Sequence, residues 1–284
     1  MPRSQQGVAL ITVLLVTSLA LLITAGMLRG QRLALHSSAQ QIHQLQLRQS
    51  GFAGEAWALD HLREVGGDPQ SPLAPGQAWA KGQPPMQLDN GQLEVHIEDL
   101  AGRFNITPLF ASDSAEGVMS QRWLRLQNLL GVTPVEAKVL QGLNLGDISQ
   151  LRKVPGIDAH WYTRMQPWIV LLGNDAVLNI NTASDTLLAT LEGVTPQLAK
   201  RLVAARPLQG YASVQDFTFT PALIGLGINN KGLGINSRWL RISTEVRLGL
   251  SRLRLESDVA RDPQTGQWRL LQRRFLTPTH SESS

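Results

Sequence analysis

Hydrophobic residues form one continuous run at the start of the chain and recur periodically in the rest of it. From Val8 to Leu28 nearly every residue is apolar or small, and no residue between Ser4 and Leu28 is charged. A helix rises about 1.5 Å per residue, so this run spans about 30 Å, the thickness of a bilayer's hydrocarbon core. The run is too long for the apolar core of a secretory signal peptide, and no small-residue cleavage site follows it. The pattern therefore predicts a transmembrane helix over residues 8–28.

The segment 29–65 continues this helix with a different pattern. Its apolar residues recur at spacings of mostly three, four and seven, and it contains no proline. This period is typical of an amphipathic helix, so we expect one continuous helix that leaves the membrane near residue 28. Arg3 lies on one side of the span and two arginines lie on the other, so charge alone does not orient it. The short N-terminal leader favours a cytoplasmic N-terminus, with residues after about 30 on the far side.

Strict alternation of apolar and polar residues indicates strands in two distant places. Five prolines and four glycines over 66–90 predict a loop with little regular structure. The stretch GQLEVHIEDL begins at Gly91 after this loop and precedes RFNIT, which reads as the second strand of a hairpin. After Gly234 the alternation returns in RWLRISTEVRLGL, SRLRLESDVARD and QWRLLQRRF. We expect these strands to form one small antiparallel sheet, even though a long stretch of chain separates them.

That intervening stretch, 111–232, has a helical period. It contains seven short apolar-periodic segments separated by Gly and Pro, and two of them begin with Thr-Pro, at Thr133 and Thr195. A threonine cap followed by a first-turn proline is a helix-start signal. The predicted fold class is α+β: a long N-terminal helix, a discontinuous sheet domain over 66–110 and 233–276, an inserted all-helical domain over 111–232, and a disordered tail over 277–284.

Composition excludes several functions. The chain of 284 residues contains no cysteine, which removes disulfides, thiol nucleophiles and cysteine metal sites. Its six histidines are scattered, and none has the spacing of a metal site or a catalytic triad. The net charge of +4 is mild, although nine arginines and four acids lie between residues 236 and 275. The sequence therefore predicts no enzyme and no cofactor.

Two passages inside the helical segment share a helix, a tight turn with glycine, and a second helix. They are ISQLRKVPGIDAHWYTRMQPWI, which turns at Gly156, and TASDTLLATLEGVTPQLAKRLVAAR, which turns at Gly193. Both resemble the helix-hairpin-helix motif, whose DNA-binding members hold a phosphate on the hairpin amides. Where a second glycine would allow close approach, this chain has Asp158 and Thr195. We therefore expect a packing unit and no nucleic-acid partner. A membrane-anchored DNA-binding protein of an uptake system is the alternative hypothesis.

The leader MPRSQQG followed by VALITVLLV resembles the start of a type IV pilin-like precursor. Together with the passage Asn179–Ser184 (NINTAS) and the stretch DLAGRFNIT, it is similar to the K-type minor pseudopilin of the Gram-negative type II secretion system. The resemblance implies that residues 1–7 are a leader. A prepilin peptidase would cut between Gly7 and Val8 and methylate the new amine. It also implies an inner-membrane protein, with its C-terminal domain in the periplasm, that initiates and caps the tip of a short filament exporting folded proteins.

The resemblance also implies partners and one departure from most pilins. The partners are other minor pseudopilins, the I and J types first, then the H type and the major G type. Most pilins carry glutamate at the fifth mature position, whereas this chain has Thr12, as K-type members do. Because a carboxylate in lipid needs a charged partner, an uncharged residue fits a subunit with no neighbour beyond it. Some members hold calcium in the helical domain, but the comparable region offers only Asp147 and Asp158, so a calcium site stays of low expectation and no ligand is assigned.

Overall fold

The computed structural model describes residues 5–65, 71–81, 84–111 and 117–276. The chain divides into two compact units, the first ending at Ser50 and the second beginning at Gly51. The predicted disordered tail over 277–284 and residues 1–4 of the predicted leader lie outside the described residues.

Helix α1 runs from Gln5 to Val65, 61 residues without a break. The prediction of one long helix through the apolar run and the amphipathic segment is confirmed. The sequence allows this length because no proline occurs between residues 5 and 65 to remove a backbone donor. Thr17, Ser18 and Thr24 donate their hydroxyls to carbonyls three or four residues earlier, at 2.8–3.0 Å. The hydroxyl groups of these three side chains thus have hydrogen-bond acceptors within the helix itself.

The described residues of the second unit contain a five-stranded antiparallel sheet. Its strands are β1 (Met86–Leu88), β2 (Gly91–Asp99), β7 (Trp239–Leu248), β8 (Ser251–Arg261) and β9 (Trp268–Leu276). They lie in the order β1-β2-β7-β8-β9 across the sheet. The pairing of β2 with β7, from Gly91 opposite Leu248 to Asp99 opposite Leu240, confirms the predicted discontinuous sheet. Strand β1 corrects the sequence prediction, since residues 66–90 read as a loop.

The last turns of α1 pack on one face of this sheet through two glycines. A Cβ on Gly54 would lie 2.6 Å from the Thr244 side chain, and one on Gly51 would lie 3.5 Å from Leu253. The face that α1 covers carries alternate buried residues of the strands, among them Leu93, Val95, Ile242, Thr244, Val246 and Leu255. Glycine at 54 therefore lets helix and sheet approach more closely than any side chain would permit.

Between β2 and β7 the chain forms a mainly helical block. Its helices are α2 (Val118–Leu129), α3 (Ala137–Leu140), α4 (Ala159–Met165), α5 (Asp185–Leu188), α6 (Pro196–Ala204) and α7 (Val214–Thr218). A core of buried side chains joins them, and in it the Trp123 and Trp161 rings meet edge to face with their centres 5.8 Å apart. The block also contains β4 (Ile169–Val170) and β5 (Leu178–Asn179), and β6 (Leu233–Gly234) follows it. The expectation of a purely helical block is corrected to that extent.

The predicted hairpin between β2 and RFNIT is wrong. Strand β3 (Phe104–Asn105) pairs in parallel with β4, and its backbone leads into the helical block. A 3-10 turn over Leu100–Gly102 redirects the chain, and the Asp99 carboxylate caps that turn by accepting a bond from Ala101 N at 2.9 Å. A Cβ on Gly102 would lie 2.9 Å from the Thr182 hydroxyl, so the turn is pressed against the block.

The two Thr-Pro helix starts give opposite results. Thr195 Oγ1 accepts a bond from Leu198 N at 3.2 Å and Pro196 opens α6, as predicted. Thr133 caps nothing, and α3 begins only at Ala137. The reason is that Gln127 Oε1 accepts a bond from the Val135 backbone N–H at 2.7 Å, and the Val135 carbonyl accepts one from the Trp123 indole at 2.7 Å. These bonds to α2 hold residues 133–136 in an extended form.

Candidate assembly site

The apolar half of α1 is the first feature with a functional meaning. Large apolar side chains from Leu10 to Leu28 are each more than half exposed within the structure. Among the described residues α1 is the one helix long and apolar enough to cross a membrane, judged by length and composition. Since exposed apolar surface of this extent is unfavourable in water, lipid or other helices must cover it.

The predicted processing residues lie at the start of the same helix. Gly7 and Val8 fall within the first turns of α1, and Thr12 lies on its exposed surface one turn further on. Cleavage at this bond and the role of Thr12 stay predictions from the resemblance.

Glu55 fastens α1 to the far edge of the sheet. Its side chain is 4% exposed and receives both Arg273 of β9, with Nε at 2.7 Å, and the Ser257 hydroxyl of β8. Burial opposes ionisation of this carboxyl, but the bonds from Arg273 and Ser257 outweigh it and hold the pKa of Glu55 below its usual value. Arg273 also lies over the Phe52 ring, 5.1 Å from its centre. Sequence reasoning missed this pair because its partners are 218 residues apart.

A second buried carboxylate, Asp99, joins the sheet to the helical block. It is 4% exposed and accepts bonds from Asn179 Nδ2 at 2.8 Å and Thr182 Oγ1 at 2.6 Å, besides the Ala101 amide. Burial raises the pKa of Asp99 above its usual value, and these neutral donors offset only part of that effect. The joint is therefore held by hydrogen bonds without a cationic partner.

The passage Asn179–Ser184, noted from the sequence by resemblance, supplies the other side of this joint. The Asn181 side chain donates to the carbonyls of Tyr211 and Ile235, at 3.1 and 3.2 Å, and accepts from the Tyr211 amide at 2.7 Å. Gly210 has a φ of +76°, and a Cβ there would lie 2.6 Å from the Asn181 amide group. The passage thus joins the helical block to the chain segment around Ile235 that leads into β7.

The two predicted hairpin glycines both adopt left-handed backbone. Gly156 has a φ of +86° and Gly193 has a φ of +71°, values that side-chain-bearing residues rarely adopt. The acids and hydroxyls that follow them already occupy the helix-start amides: Asp158 accepts from Trp161 N at 2.7 Å, and Thr195 accepts from Leu198 N. A phosphate would have to displace these caps. The geometry gives the DNA-binding alternative no support.

The acids considered for calcium do not form a ligand set. Asp147 caps the 3-10 helix Ile148–Lys153 and accepts a bond from Arg274 at 3.2 Å, while Asp158 caps α4. Among the described residues no three His, Asp or Glu side chains lie close enough together to hold a metal ion. Because calcium requires six or more oxygen ligands, the residues present do not fit it.

The fold matches that of one chain in a solved complex. The chain superposes on a chain of the crystal structure of the GspK-GspI-GspJ complex from the enterotoxigenic Escherichia coli type 2 secretion system, with a TM-score of 0.69 and 20% identity. The match covers 86% of this chain and 100% of that one. An apolar N-terminal helix whose continuation packs on an antiparallel sheet, with helices inserted between strands, therefore defines an α+β protein of the pilin-like class.

Relatives narrow this class to one family. Type II secretion system protein K of Pseudomonas aeruginosa is 32% identical over 92% of this chain and 90% of its own length. Protein K of Pectobacterium carotovorum is 25% identical over 88% of this chain and 90% of its own length. The model of the family "Type II secretion system (T2SS), protein K" matches residues 178–236, the part that contains Asn179 and Asn181. The chain belongs to the type II secretion system protein K family.

Proposed function

We propose that this protein is a minor pseudopilin that initiates and caps the tip of a periplasmic pseudopilus, which exports folded proteins across the outer membrane. The observation that carries the proposal is the 32% identity to protein K of Pseudomonas aeruginosa over 92% of the chain. Its role is assembly without catalysis: the apolar part of α1 associates with neighbouring helices in the inner membrane, and the second unit lies in the periplasm.

In this proposal residues 1–7 are a leader that a prepilin peptidase removes. The enzyme cuts between Gly7 and Val8 and methylates the amine of Val8, and the apolar run remains as the anchor. A small residue at Gly7 suits a cut at the membrane surface.

Thr12 and the helical block both support a place at the tip. Placing a charged glutamate in lipid costs roughly several kcal/mol of free energy unless a neighbouring subunit's amine pairs with it. The uncharged Thr12 needs no such partner. A terminal subunit has no further neighbour to supply the amine. The block between β2 and β7 adds bulk that would obstruct a subunit stacked above it.

The expected partners are the I- and J-type minor pseudopilins, because the structural relative comes from a GspK-GspI-GspJ complex. The H-type and major G-type pseudopilins would contact the tip complex from below. Neither the DNA-binding alternative nor a bound cation has an observation in its favour.

Intact-mass measurement of membrane-extracted protein tests the processing step. Protein co-expressed with the prepilin peptidase should begin at Val8 and carry one added methyl group, while cells without the peptidase provide the unprocessed control. An N-terminus at Met1 in the presence of active peptidase would contradict the leader assignment.

Position in the filament needs a separate experiment. Gold labels on a tag at the C-terminus, applied to overexpressed pseudopili, should appear once per filament and at an end. Labels distributed along the filament would overturn the tip assignment, whatever the result for processing.

A further inference from the structure

The arginines of β7, β8 and β9 are nearly all neutralised within the chain. Arg241 pairs with Asp258 at 2.6 Å, Arg254 pairs with Glu256 at 2.9 Å, and Arg269 pairs with Asp262 at 3.1 Å. Arg273 and Arg274 pair with acids of α1, of β8 and of the helical block. The local excess of positive charge in the sequence is therefore mostly an internal ion-pair network.

Arg247 and Arg252 are the exception among the described residues of these strands. The register of β7 and β8 places them directly opposite each other, and neither has an ion pair or a side-chain hydrogen bond within the described part of the chain. Arg247 is half-buried and Arg252 is exposed. The turn between them presents Leu250, whose side chain is fully exposed, after Gly249 with a φ of +57°.

This arrangement is unfavourable in the isolated chain. Directly opposed side chains of an antiparallel pair lie on the same face, and like charges there repel each other. The nearest acid on the same face of β7, Glu245, is engaged by Arg254 at 3.4 Å. Asp89, in the adjacent β1–β2 turn, is exposed and makes no ion pair with either arginine among the described residues. Glu94 of β2, opposite Glu245 on the same face, contacts Gln92 and His96 and makes no ion pair with either arginine among the described residues.

We propose that Arg247, Arg252 and Leu250 form a docking site for a carboxylate-bearing segment of a neighbouring minor pseudopilin, of the I or J type. Charge complementarity selects an acidic partner, because guanidinium groups bind carboxylates in a bidentate geometry, and Leu250 adds an apolar contact between the two charges. Two cations and one leucine are too few for an anionic membrane surface, which requires clusters of about four to eight basic residues. This inference rests on the proposed function for the identity of the partner.

The test measures binding and stability in the same variants of the full-length chain in detergent. R252E places opposite charges across the strands, so the free protein should melt about 1–2 °C higher. The same change should weaken binding to the purified I- and J-type proteins by about tenfold or more. Binding of the wild type should weaken as sodium chloride is added, and binding of R252E should depend much less on salt. K200E, an equal charge change on the exposed face of α6, should leave binding unchanged.

A photo-crosslinking residue at position 250 then locates the partner segment. In nanodiscs that contain phosphatidylglycerol and both partners, the crosslink should fall on an Asp- or Glu-bearing segment of the I- or J-type protein. Reversing that acid should restore binding to R252E. A crosslink to lipid or to a segment without acids, or unchanged binding of R252E, would overturn the docking site. A wild-type chain that binds neither protein would instead contradict the proposed function.

Discussion

Glu55 and Asp99 are two carboxylates of similar burial that hold different joints by different means. Glu55 connects α1 to β8 and β9 through a guanidinium and a hydroxyl, and its pKa lies below the usual value. Asp99 connects β2 to the helical block through hydrogen bonds from amides and hydroxyls, and its pKa lies above the usual value. The two carboxyls have similar solvent exposure, but Asp99 is more deeply enclosed by protein atoms and has no arginine beside it. Both differences contribute to the opposite directions of the two pKa values.

The comparison also separates two kinds of stability in the second unit. The α1–sheet joint depends on an ion pair whose arginine is 43% exposed and open to screening by salt. The sheet–block joint depends on directional hydrogen bonds to a carboxylate that is 4% exposed. The predictions below test this difference, from the largest expected effect to the smallest.

Asp99→Ala should have the largest effect. It removes the acceptor that the Asn179 and Thr182 side chains and the Ala101 amide share, at a total cost of about 3 kcal/mol in the free energy of unfolding. Urea unfolding of the detergent-solubilised chain, followed by tryptophan fluorescence, measures this cost. Asp89→Ala, at an exposed position, is the control. A loss no larger than the control's would show that Asp99 does not hold the joint.

Arg273→Ala should cost less, about 2 kcal/mol, because the arginine is partly exposed even though Glu55 is left buried and unpaired. Arg269→Ala removes a surface pair from the same strand and should cost about 0.5 kcal/mol or less. Added salt should reduce the effect of Arg273→Ala and leave that of Asp99→Ala nearly unchanged. Equal losses for the two arginine variants would refute the special role of the Glu55 pair.

Thr195→Ala measures how much a neutral hydrogen bond outside the two buried joints contributes to the free energy of unfolding. Loss of the α6 cap should cost about 1 kcal/mol, whereas Thr133→Ala, in the same dipeptide without a cap, should cost close to nothing. The same urea titration compares the two. If both threonines cost the same, capping is not the cause.

The smallest effect should be a pH dependence of opposite sign for the two carboxyls. Because the pKa of Glu55 is lowered, its contribution is present above the unfolded value of 4.5 and is lost as pH falls through the folded pKa. Because the pKa of Asp99 is raised, its contribution is present below the unfolded value of 3.8 and is lost as pH rises through the folded pKa.

Paired variants make this sign measurable. As pH rises above 3.8, the stability of the wild type should fall relative to Asp99→Asn, and as pH falls below 4.5, it should fall relative to Glu55→Gln. Slopes of the same sign in the two comparisons would remove the contrast between the joints.

The sequence predicts the long helix and the four longer strands because each repeats its period over nine or more residues. It predicts a strand at β3 but gives it the wrong partner, because the pairing depends on the turn that Asp99 caps. It does not predict β4, since two residues cannot show a period. The identical Thr-Pro signals at 133 and 195 diverge because Gln127 and Trp123 bind Val135. Glu55 was undetectable for a similar reason, since its partner lies on the last strand.

The interrupted sheet also constrains the order of folding. Strands β2 and β7 are neighbours in the sheet, yet their pairing closes a loop of about 140 residues, at an entropic cost of roughly 4 kcal/mol. Pairs so distant along a chain form late, after local contacts have shortened the effective loop. Residues as far as Leu248 must therefore be present before β2 can pair with β7. Premature termination before β7 would leave one edge of β2 unpaired, and unpaired strand edges are prone to aggregation.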